Sequence, residues 1–336
     1  MRQETLRRMI SLALLALLVV ILSVTNEYFL TASNIFTLLR ESAMVGMLAI
    51  GVTMCIITGG NDLSCGALMG YSAMIIAHLD YYKEMHIAVM CLIALALSLV
   101  GGLLNGILAG SLRVTDFIAT LATKFVFTGI IYAFAIRSRS GQITTKPFED
   151  EAILALGGKM DCGLYYVTIA WILMVILGQF ILKRTKLGVH IYAVGANRVS
   201  AEYSGISIAI TKILTFLISA VCAFIGSLFF LGKQGSATIA GGIGLEFEAI
   251  SSAVVGGCFF SGGRGDMLGT VIGVLFLQTL ENGVLKLGVD SQYQQIITGA
   301  VIVLMLIFDA FYNRVMTERT TKAAAIARER KEAVAQ

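Results

Sequence analysis

Residues 87–109, IAVMCLIALALSLVGGLLNGILA, hold no charged side chain, and this stretch decides the fold class. A helix needs about 20 apolar residues to cross the hydrocarbon core of a bilayer, and this run is long enough. Its apolar residues are continuous instead of alternating with polar ones, which argues against a strand of a membrane barrel. A helix also satisfies its own backbone hydrogen bonds in lipid, so the stretch predicts a transmembrane helix.

The rest of the chain repeats this pattern. Hydrophobic residues make up 57% of the 336 residues, charged residues only 14%, and the mean hydropathy is +0.85. Such a composition excludes a soluble globular domain of this length. We predict an all-α, polytopic membrane helix bundle of about ten transmembrane helices. The apolar runs that predict them are 8–24, 42–58, 62–79, 87–109, 114–136, 164–182, 210–231, 246–260, 266–285 and 293–311.

Lys and Arg residues indicate the orientation of the bundle. With the N-terminus inside, the inner segments hold about twice as many of them as the outer segments, as the positive-inside rule requires. Residues 1–316 are therefore predicted to form the transmembrane domain, and residues 317–336 a charged cytoplasmic tail. The net charge of +4 reflects this topology, and no basic face with interleaved aromatic residues predicts nucleic-acid binding.

Glycine, not proline, is expected to break the helices, because the chain has 35 glycines and one proline. The glycines cluster with polar residues in ITGGNDLSCG (57–66) and FSGGRGDMLG (260–269). Similar interrupted segments in two halves of a transporter often mark its working centre. The Asn-Gly pairs at 105–106 and 282–283 also recur, but their distances from these two motifs differ. The echo is therefore a weak signal of an internal repeat.

Few ionisable residues fall inside the predicted spans, and each is costly in lipid unless it is paired or faces water. Lys124 lies near the middle of the fifth run, on one helical face with Thr120 and Thr128. Two interpretations are open for it: a structural ion pair with a carboxylate such as Glu281, or a contact that lines a pore. Asp62 either caps the helix that begins near Leu63 or lines the same path.

No catalytic constellation is visible in the sequence. It has no nucleophile elbow, no H-E-x-x-H motif and no Walker phosphate loop, and neither its cysteines nor its histidines have metal-ligand spacing. A chain of this kind that worked with ATP would need another subunit to hydrolyse it.

Residues 184–206, RTKLGVHIYAVGANRVSAEYSGI, form a polar segment between the sixth and seventh apolar runs. Asn197 is a favoured N-cap and Gly205 a favoured C′ residue, so a helix of about two turns is predicted between them. So short a helix is not stable alone in water. It must pack against its own membrane domain or a partner's groove, unless the segment is an ordinary loop.

Four stretches, in order along the chain, resemble the membrane permeases of bacterial ribose/galactose/xylose-type ABC sugar importers. The segment above is similar to the family pattern T-[RK]-x-G-[RK]-x-[IL]-[YF]-A-[IV]-G-x-N-x-x-A-A-x-x-S-G-[IV]. The other stretches are GVTMCIITGGNDLSCG (51–66), LNGILAGSLRVTDFIATLAT (104–123) and LEFEAISSAVVGGCFFSGGRGDMLGTVIGVL (245–275). Together they extend the resemblance over nearly the whole chain, from about Asn34 to Asp309.

The resemblance implies a multi-pass permease of the bacterial inner membrane that does no chemistry itself and holds no cofactor. ATP and Mg would be bound by a separate ABC ATPase subunit. A periplasmic or lipid-anchored solute-binding protein would deliver the cargo, and a second permease copy or a paralogue would complete a dimer. Residues 184–206 would be the coupling segment that docks on the ATPase. Its matching positions are Gly188, Tyr192, Ala193, Gly195, Asn197, Ala201, Ser204 and Gly205.

The expected activity is translocation of a small polar solute, most simply a monosaccharide, by alternating access. Asp62, Asn105, Thr120, Lys124 and Asn282 are the predicted pathway residues, because their side chains can hydrogen-bond sugar hydroxyls. Val189, Asn61, Glu248 and Lys124 depart from the family pattern, and these departures leave the substrate open.

A nucleoside or a furanosyl signalling molecule is the alternative cargo. An ion-coupled secondary transporter and an integral membrane enzyme are the rival functional classes. We also expect Gly195→Trp and Asn197→Arg to leave the fold intact while breaking association with the ATPase.

Overall fold

The computed structural model describes residues 2–83, 85–136, 148, 150–288 and six isolated positions between 293 and 307. The chain divides into two compact units, Met1–Lys286 and Leu287–Gln336. The six isolated positions of the second unit are helical. The predicted tail, 317–336, and most of the tenth apolar run lie outside the described residues.

The described residues form only helices and their connections, which confirms the predicted fold class. The π-helical turn Ile107–Ser111 continues the fourth helix. The helices are α1 (Arg2–Thr25), α2 (Ala32–Ile57), α3 (Cys65–Lys83), α4 (Ile87–Gly106), α5 (Asp116–Phe134), α6 (Glu151–Leu156), α7 (Tyr166–Arg184), α8 (Lys186–Ala196), α9 (Arg198–Tyr203), α10 (Ile208–Gln234), α11 (Leu245–Val255) and α12 (Met267–Lys286).

Seven of these helices are long and apolar enough to cross a membrane by length and composition: α1, α2, α4, α5, α7, α10 and α12. The eighth apolar run does not form a crossing of its own. It folds as α11, whose 11 residues extend about 16 Å, roughly half the hydrocarbon thickness. Glycines limit it at both ends, since Gly244 (φ 90°) precedes α11 and Gly257 (φ 99°) follows it. This helix is a glycine-broken segment of the kind that the sequence predicted.

The centre of the first unit is α10, which packs against α2, α3 and α4. Nearly all of α2 from Ser42 onward is buried. Three glycines at intervals of four, Gly102, Gly106 and Gly110, bring the end of α4 and its π-helical extension onto α10. A Cβ atom on Gly106 would lie 2.6 Å from the Cα of Ile213, so only glycine permits this approach. Small residues at this spacing are a known basis of helix packing in membranes.

Candidate functional site

The two glycine-rich motifs meet in space. We call residues 58–62 the first glycine turn and residues 260–265 the second. The amide of Gly263 donates a hydrogen bond of 2.8 Å to the carbonyl of Ile57, at the end of α2. A Cβ atom on Gly262 would lie 2.7 Å from the Cα of Gly59, so the two backbones are in direct contact. The sequence echo of these motifs therefore corresponds to one structural site.

Residues 184–206 form two short helices, α8 and α9, at that site. The side chain of Asn197 accepts a hydrogen bond of 3.0 Å from the Ser200 amide, so it is the N-cap of α9, as predicted. At the other end, the amides of Gly205 and Ile206 donate to the carbonyls of Glu202 and Ala201, each at 3.0 Å. This is a Schellman motif with Gly205 at φ 79°, which confirms the predicted end of the helix.

Helix α8 packs on both glycine turns. Gly195 lies against the carbonyl of Ile57 and the amide of Gly263, and no side chain fits between them. The hydroxyl of Tyr192 donates a hydrogen bond of 2.6 Å to the carbonyl of Gly265. Of the interpretations open from the sequence, packing of the segment against its own membrane domain is thus realised.

Helix α9 presents an unburied face. Tyr203 is 90% exposed and Val199 61% exposed, although both are large apolar or aromatic side chains. Glu202, also exposed, pairs with Arg113 of the α4–α5 connection at 3.4 Å.

The eight family-motif positions of the segment divide between its side that packs on the membrane domain and its exposed side. Gly188 and Ala201 are buried, and Gly188 lies against the last carbonyls of α7. Tyr192, Ala193 and Gly195 are half-buried, whereas Asn197, Ser204 and Gly205 are exposed.

A chain of buried hydrogen bonds starts at Asp62, and we call it the polar chain. One carboxylate oxygen of Asp62 accepts from the hydroxyl of Ser219 at 2.6 Å, and the other from the amide and hydroxyl of Ser64. The amide nitrogen of Asn105 donates to the Ser64 hydroxyl at 2.8 Å. The hydroxyl of Thr123 donates to the Asn105 side-chain oxygen at 2.7 Å. The chain joins α10, the start of α3, α4 and α5.

Thr120 extends this arrangement. Its hydroxyl accepts from the amide of Leu63 at 3.1 Å and donates to the carbonyl of Asp116 at 2.8 Å. Three of the predicted pathway residues, Asp62, Asn105 and Thr120, are therefore brought together, and all three are buried. In this conformation their hydrogen bonds hold the segment before α3 in place, because the partners are other protein groups.

Lys124 forms an ion pair with Glu246 at the start of α11. Of the two interpretations open for Lys124, the ion pair is present, but Glu281, the carboxylate suggested from the sequence, is not the partner, because the start of α11 and not α12 meets this part of α5. The side chain of Glu246 is fully buried and that of Lys124 is 18% exposed. Glu281 instead accepts a hydrogen bond of 3.1 Å from Gln278.

Asn282 lies apart from the other predicted pathway residues. Its side-chain amide exchanges hydrogen bonds of 3.0 and 3.1 Å with that of Asn34, near the start of α2. The polar chain starts at Asp62 in the first glycine turn, which follows the opposite end of α2. Asn282 thus joins α12 to α2 and has no contact with the polar chain.

A second buried ion pair was missed by sequence reasoning. Asp116, the first residue of α5, pairs with Lys212 of α10, and both side chains are buried. The signal for it was an ionisable residue within the first five residues of each of two apolar helices. Burying two charges is favourable only if they meet, so such a pair of positions predicts contact.

A cavity of about 190 Å³ lies beside this ion pair, between the first glycine turn, the α4–α5 connection and Arg198 of α9. The connection carries two irregularities: the π-helical turn Ile107–Ser111, and Arg113 at φ 56°. Arg113 is the one non-glycine residue with positive φ among the described residues. Unusual backbone of both kinds concentrates at functional sites.

Comparison with known proteins identifies the family. The family model described as "Branched-chain amino acid transport system / permease component" matches residues 34–306. The ribose import permease protein of Escherichia coli (strain K12) is 32% identical over 301 residues, covering 89% of this chain and 92% of the relative. The ribose import permease protein of Bacillus subtilis (strain 168) is 32% identical over 295 residues, with 88% and 90% covered.

The galactose/methyl galactoside import permease protein of Salmonella typhimurium (strain LT2) is 33% identical over 316 residues, covering 90% of this chain and 93% of the relative. Permeases of this type work with an ATPase and a solute-binding protein on other chains. The chain therefore belongs to this family of permeases and is a multi-pass, non-catalytic membrane subunit of a bacterial ABC importer.

Proposed function

We propose that this permease carries a monosaccharide of the ribose or galactose class across the bacterial inner membrane by alternating access. The observation that carries the proposal is the identity of 32–33% over about nine-tenths of the chain to permeases named for ribose and galactose. The buried hydroxyl, amide and carboxyl groups around Asp62 and Asn105 are of the kind that binds sugar hydroxyls once water or solute can reach them.

Helices α8 and α9 are proposed to be the coupling segment. The exposed face of α9, with Val199 and Tyr203, is the surface that we expect to enter a groove of the ATPase. The opposite side of the segment packs on both glycine turns through Gly195 and Tyr192. A displacement of the segment is thus transmitted directly to the end of α2 and to the α11–α12 connection, because at Gly195 no side chain intervenes to absorb it.

Helix α5 is the element through which we expect that displacement to reach the pathway. Its first turn holds Asp116, next to the connection that Glu202 contacts through Arg113. One turn further along, Thr120 binds the segment before α3, and in the next turn Thr123 binds Asn105 and Lys124 binds Glu246. A rotation of α5 breaks these contacts together, which exposes Asp62, Asn105 and Thr120 to a path that is closed here.

The complete transporter is proposed to contain a second permease copy or a paralogue, a periplasmic or lipid-anchored sugar-binding protein, and an ATPase that binds ATP and Mg.

The cargo is tested by reconstituting the permease in proteoliposomes with its ATPase and binding protein. Uptake of radiolabelled ribose, galactose, adenosine and leucine is compared, with ATP supplied on the ATPase side. We expect ATP-dependent uptake of ribose or galactose. Adenosine uptake would favour the nucleoside alternative, and leucine uptake the activity in the family description. Uptake driven by an ion gradient without the ATPase would refute the proposal.

The coupling role is tested by Tyr203→Ala and Val199→Asp. Both side chains are exposed, so both variants should keep the thermal stability of the isolated permease within about 0.5 kcal/mol. We expect both to lose co-purification with the ATPase. Met160→Ala, which changes an exposed apolar residue of the α6–α7 connection, outside the membrane helices and the coupling segment, is the control. Normal association in both test variants would contradict the docking surface.

A further inference from the structure

The cavity between the first glycine turn and the α4–α5 connection contains two buried acceptors without partners. One carboxylate oxygen of Asp116 pairs with Lys212, while its Oδ2 has no hydrogen-bond partner among the described residues. The side-chain oxygen of Asn61 is buried and likewise has none. Both residues line the same cavity. A buried acceptor left unpaired is energetically costly, so two at one cavity indicate a missing donor.

Besides Val114 and Thr115, the other side chains that line the cavity are two arginines, which are donors, and an aromatic ring. Arg198 lines it and, within the described part of the chain, makes only a long hydrogen bond, of 3.5 Å, to the carbonyl of Gly59. Arg113 lines it too, in the left-handed conformation described above. The ring of Phe117 completes the wall and is 50% exposed. Gly60 permits this arrangement, since a Cβ there would occupy the position of Asp116 Oδ2.

The charges around the cavity restrict the ligand that fits. A cation would meet the guanidinium groups of Arg113 and Arg198, with Lys212 next to the carboxylate. A simple anion would leave the two acceptor oxygens unpaired and would be repelled by Asp116. A hydroxyl group both donates and accepts hydrogen bonds, so a neutral molecule with several hydroxyls satisfies the oxygens and the arginines together. Its apolar face can pack on Phe117.

The volume is consistent with such a molecule. A water molecule occupies about 30 Å³ of liquid, so about 190 Å³ exceeds what one or two bridging waters need. The cavity also adjoins the predicted pathway, because the backbone carbonyl of Asn61 lies 3.4 Å from the hydroxyl of Thr120, which accepts from Leu63 beside Asp62.

We propose that this cavity is an exit site that binds the transported polyhydroxylated solute weakly at the coupling-segment end of the permease. The inference rests on the proposed sugar cargo. Weak binding is what a transport path requires, since the solute must also leave. Arg198 and Arg113 connect the site to α9, so solute occupancy and docking of the coupling segment affect each other.

The site is tested on the permease alone, in lipid nanodiscs, by saturation-transfer NMR with D-ribose and D-galactose at millimolar concentration. Leucine is the comparison ligand. We expect transfer from the wild-type protein to at least one sugar and none to leucine. Asn61→Ala and Phe117→Ala should each weaken the transfer at least about threefold, the loss expected for one hydrogen bond or one packing surface. Phe180→Ala, a change of equal type on α7 where Phe180 is 56% exposed, should leave it unchanged.

A second measurement uses the complete transporter in proteoliposomes. Ribose placed on the ATPase side should slow initial uptake, and this inhibition should disappear in Arg198→Gln and Asn61→Ala. Thermal unfolding tests whether each variant is folded. If either is not, loss of the inhibition in Phe117→Ala decides the test instead.

The outcomes separate the exit site from the proposed cargo. ATP-driven ribose uptake without any saturation transfer to the isolated permease would overturn the exit site and leave the cargo intact. Transfer that persists undiminished in Asn61→Ala and Phe117→Ala would also overturn it, because the sugar would bind elsewhere. Failure of sugar uptake together with transfer to leucine would overturn both.

Discussion

Gly195 of α8 lies directly against the carbonyl oxygen of Ile57, the last residue of α2. The neighbours of Gly195 are backbone atoms of Ile57 and Gly263, which cannot rotate away as a side chain could. The coupling segment and the core helix α2 are therefore in rigid contact. This contact changes the expectation that Gly195→Trp leaves the fold intact, because the added side chain has no free space.

Gly195→Ala should already destabilise the permease. A Cβ at this position overlaps backbone, and forced overpacking typically costs about 1–3 kcal/mol. We expect a lower thermal unfolding temperature in detergent and weaker coupling of ATP hydrolysis to uptake. Gly129→Ala in α5 is the matched control, since nothing lies within 4 Å of its added Cβ. Equal stability of both variants would show that α8 and α2 are not in close contact at Gly195.

Removing one partner of the Lys124–Glu246 pair should destabilise the permease much more than removing both. Lys124→Leu leaves Glu246 charged and fully buried, and such losses cost about 3–5 kcal/mol. The double variant Lys124→Leu/Glu246→Leu should recover most of this stability. A double-mutant cycle of thermal unfolding measures the coupling between the two residues. Additive losses would mean that the pair does not exist in the protein, and a matching loss with Glu281→Leu would restore the partner expected from the sequence.

Asn105→Ala should impair both stability and transport. Asn105 joins Ser64 to Thr123, so its removal leaves two buried hydroxyls each short of a partner. A loss of about 1–3 kcal/mol is expected from the unpaired groups. Because Asn105 belongs to the proposed pathway, uptake normalised to folded transporter should fall as well. Normal uptake per folded transporter would remove Asn105 from the path and leave it a structural role.

Asn282→Ala is expected to affect stability alone. Its side chain exchanges two hydrogen bonds with Asn34, and their loss should lower the unfolding free energy by about 1 kcal/mol. Asn34→Ala should have the same effect, and the double variant little more than either one. Uptake normalised to folded protein should match the wild type. A change in sugar preference in Asn282→Ala would return this residue to the pathway.

Features that depend on neighbouring residues in the chain could be predicted from the sequence. The helical class follows from continuous apolar runs, because lipid offers the backbone no hydrogen-bond partner. The bounds of α9 follow from Asn197 and Gly205, since a cap satisfies amides and carbonyls only a few residues away. The interruption of α11 follows from its flanking glycines, although the sequence analysis counted this run among the membrane crossings.

Which helices adjoin was decided by the tertiary structure alone. Lys124 meets Glu246 and not Glu281, Asn282 meets Asn34 far from the polar chain, and Asp116 meets Lys212 across 96 positions of sequence. Hydropathy is almost uniform along these helices, so it does not encode which face of one helix packs on which face of another. That choice is made by close-fitting contacts such as Gly106 on Ile213 and Gly195 on Ile57, and they exist only once the helices have assembled.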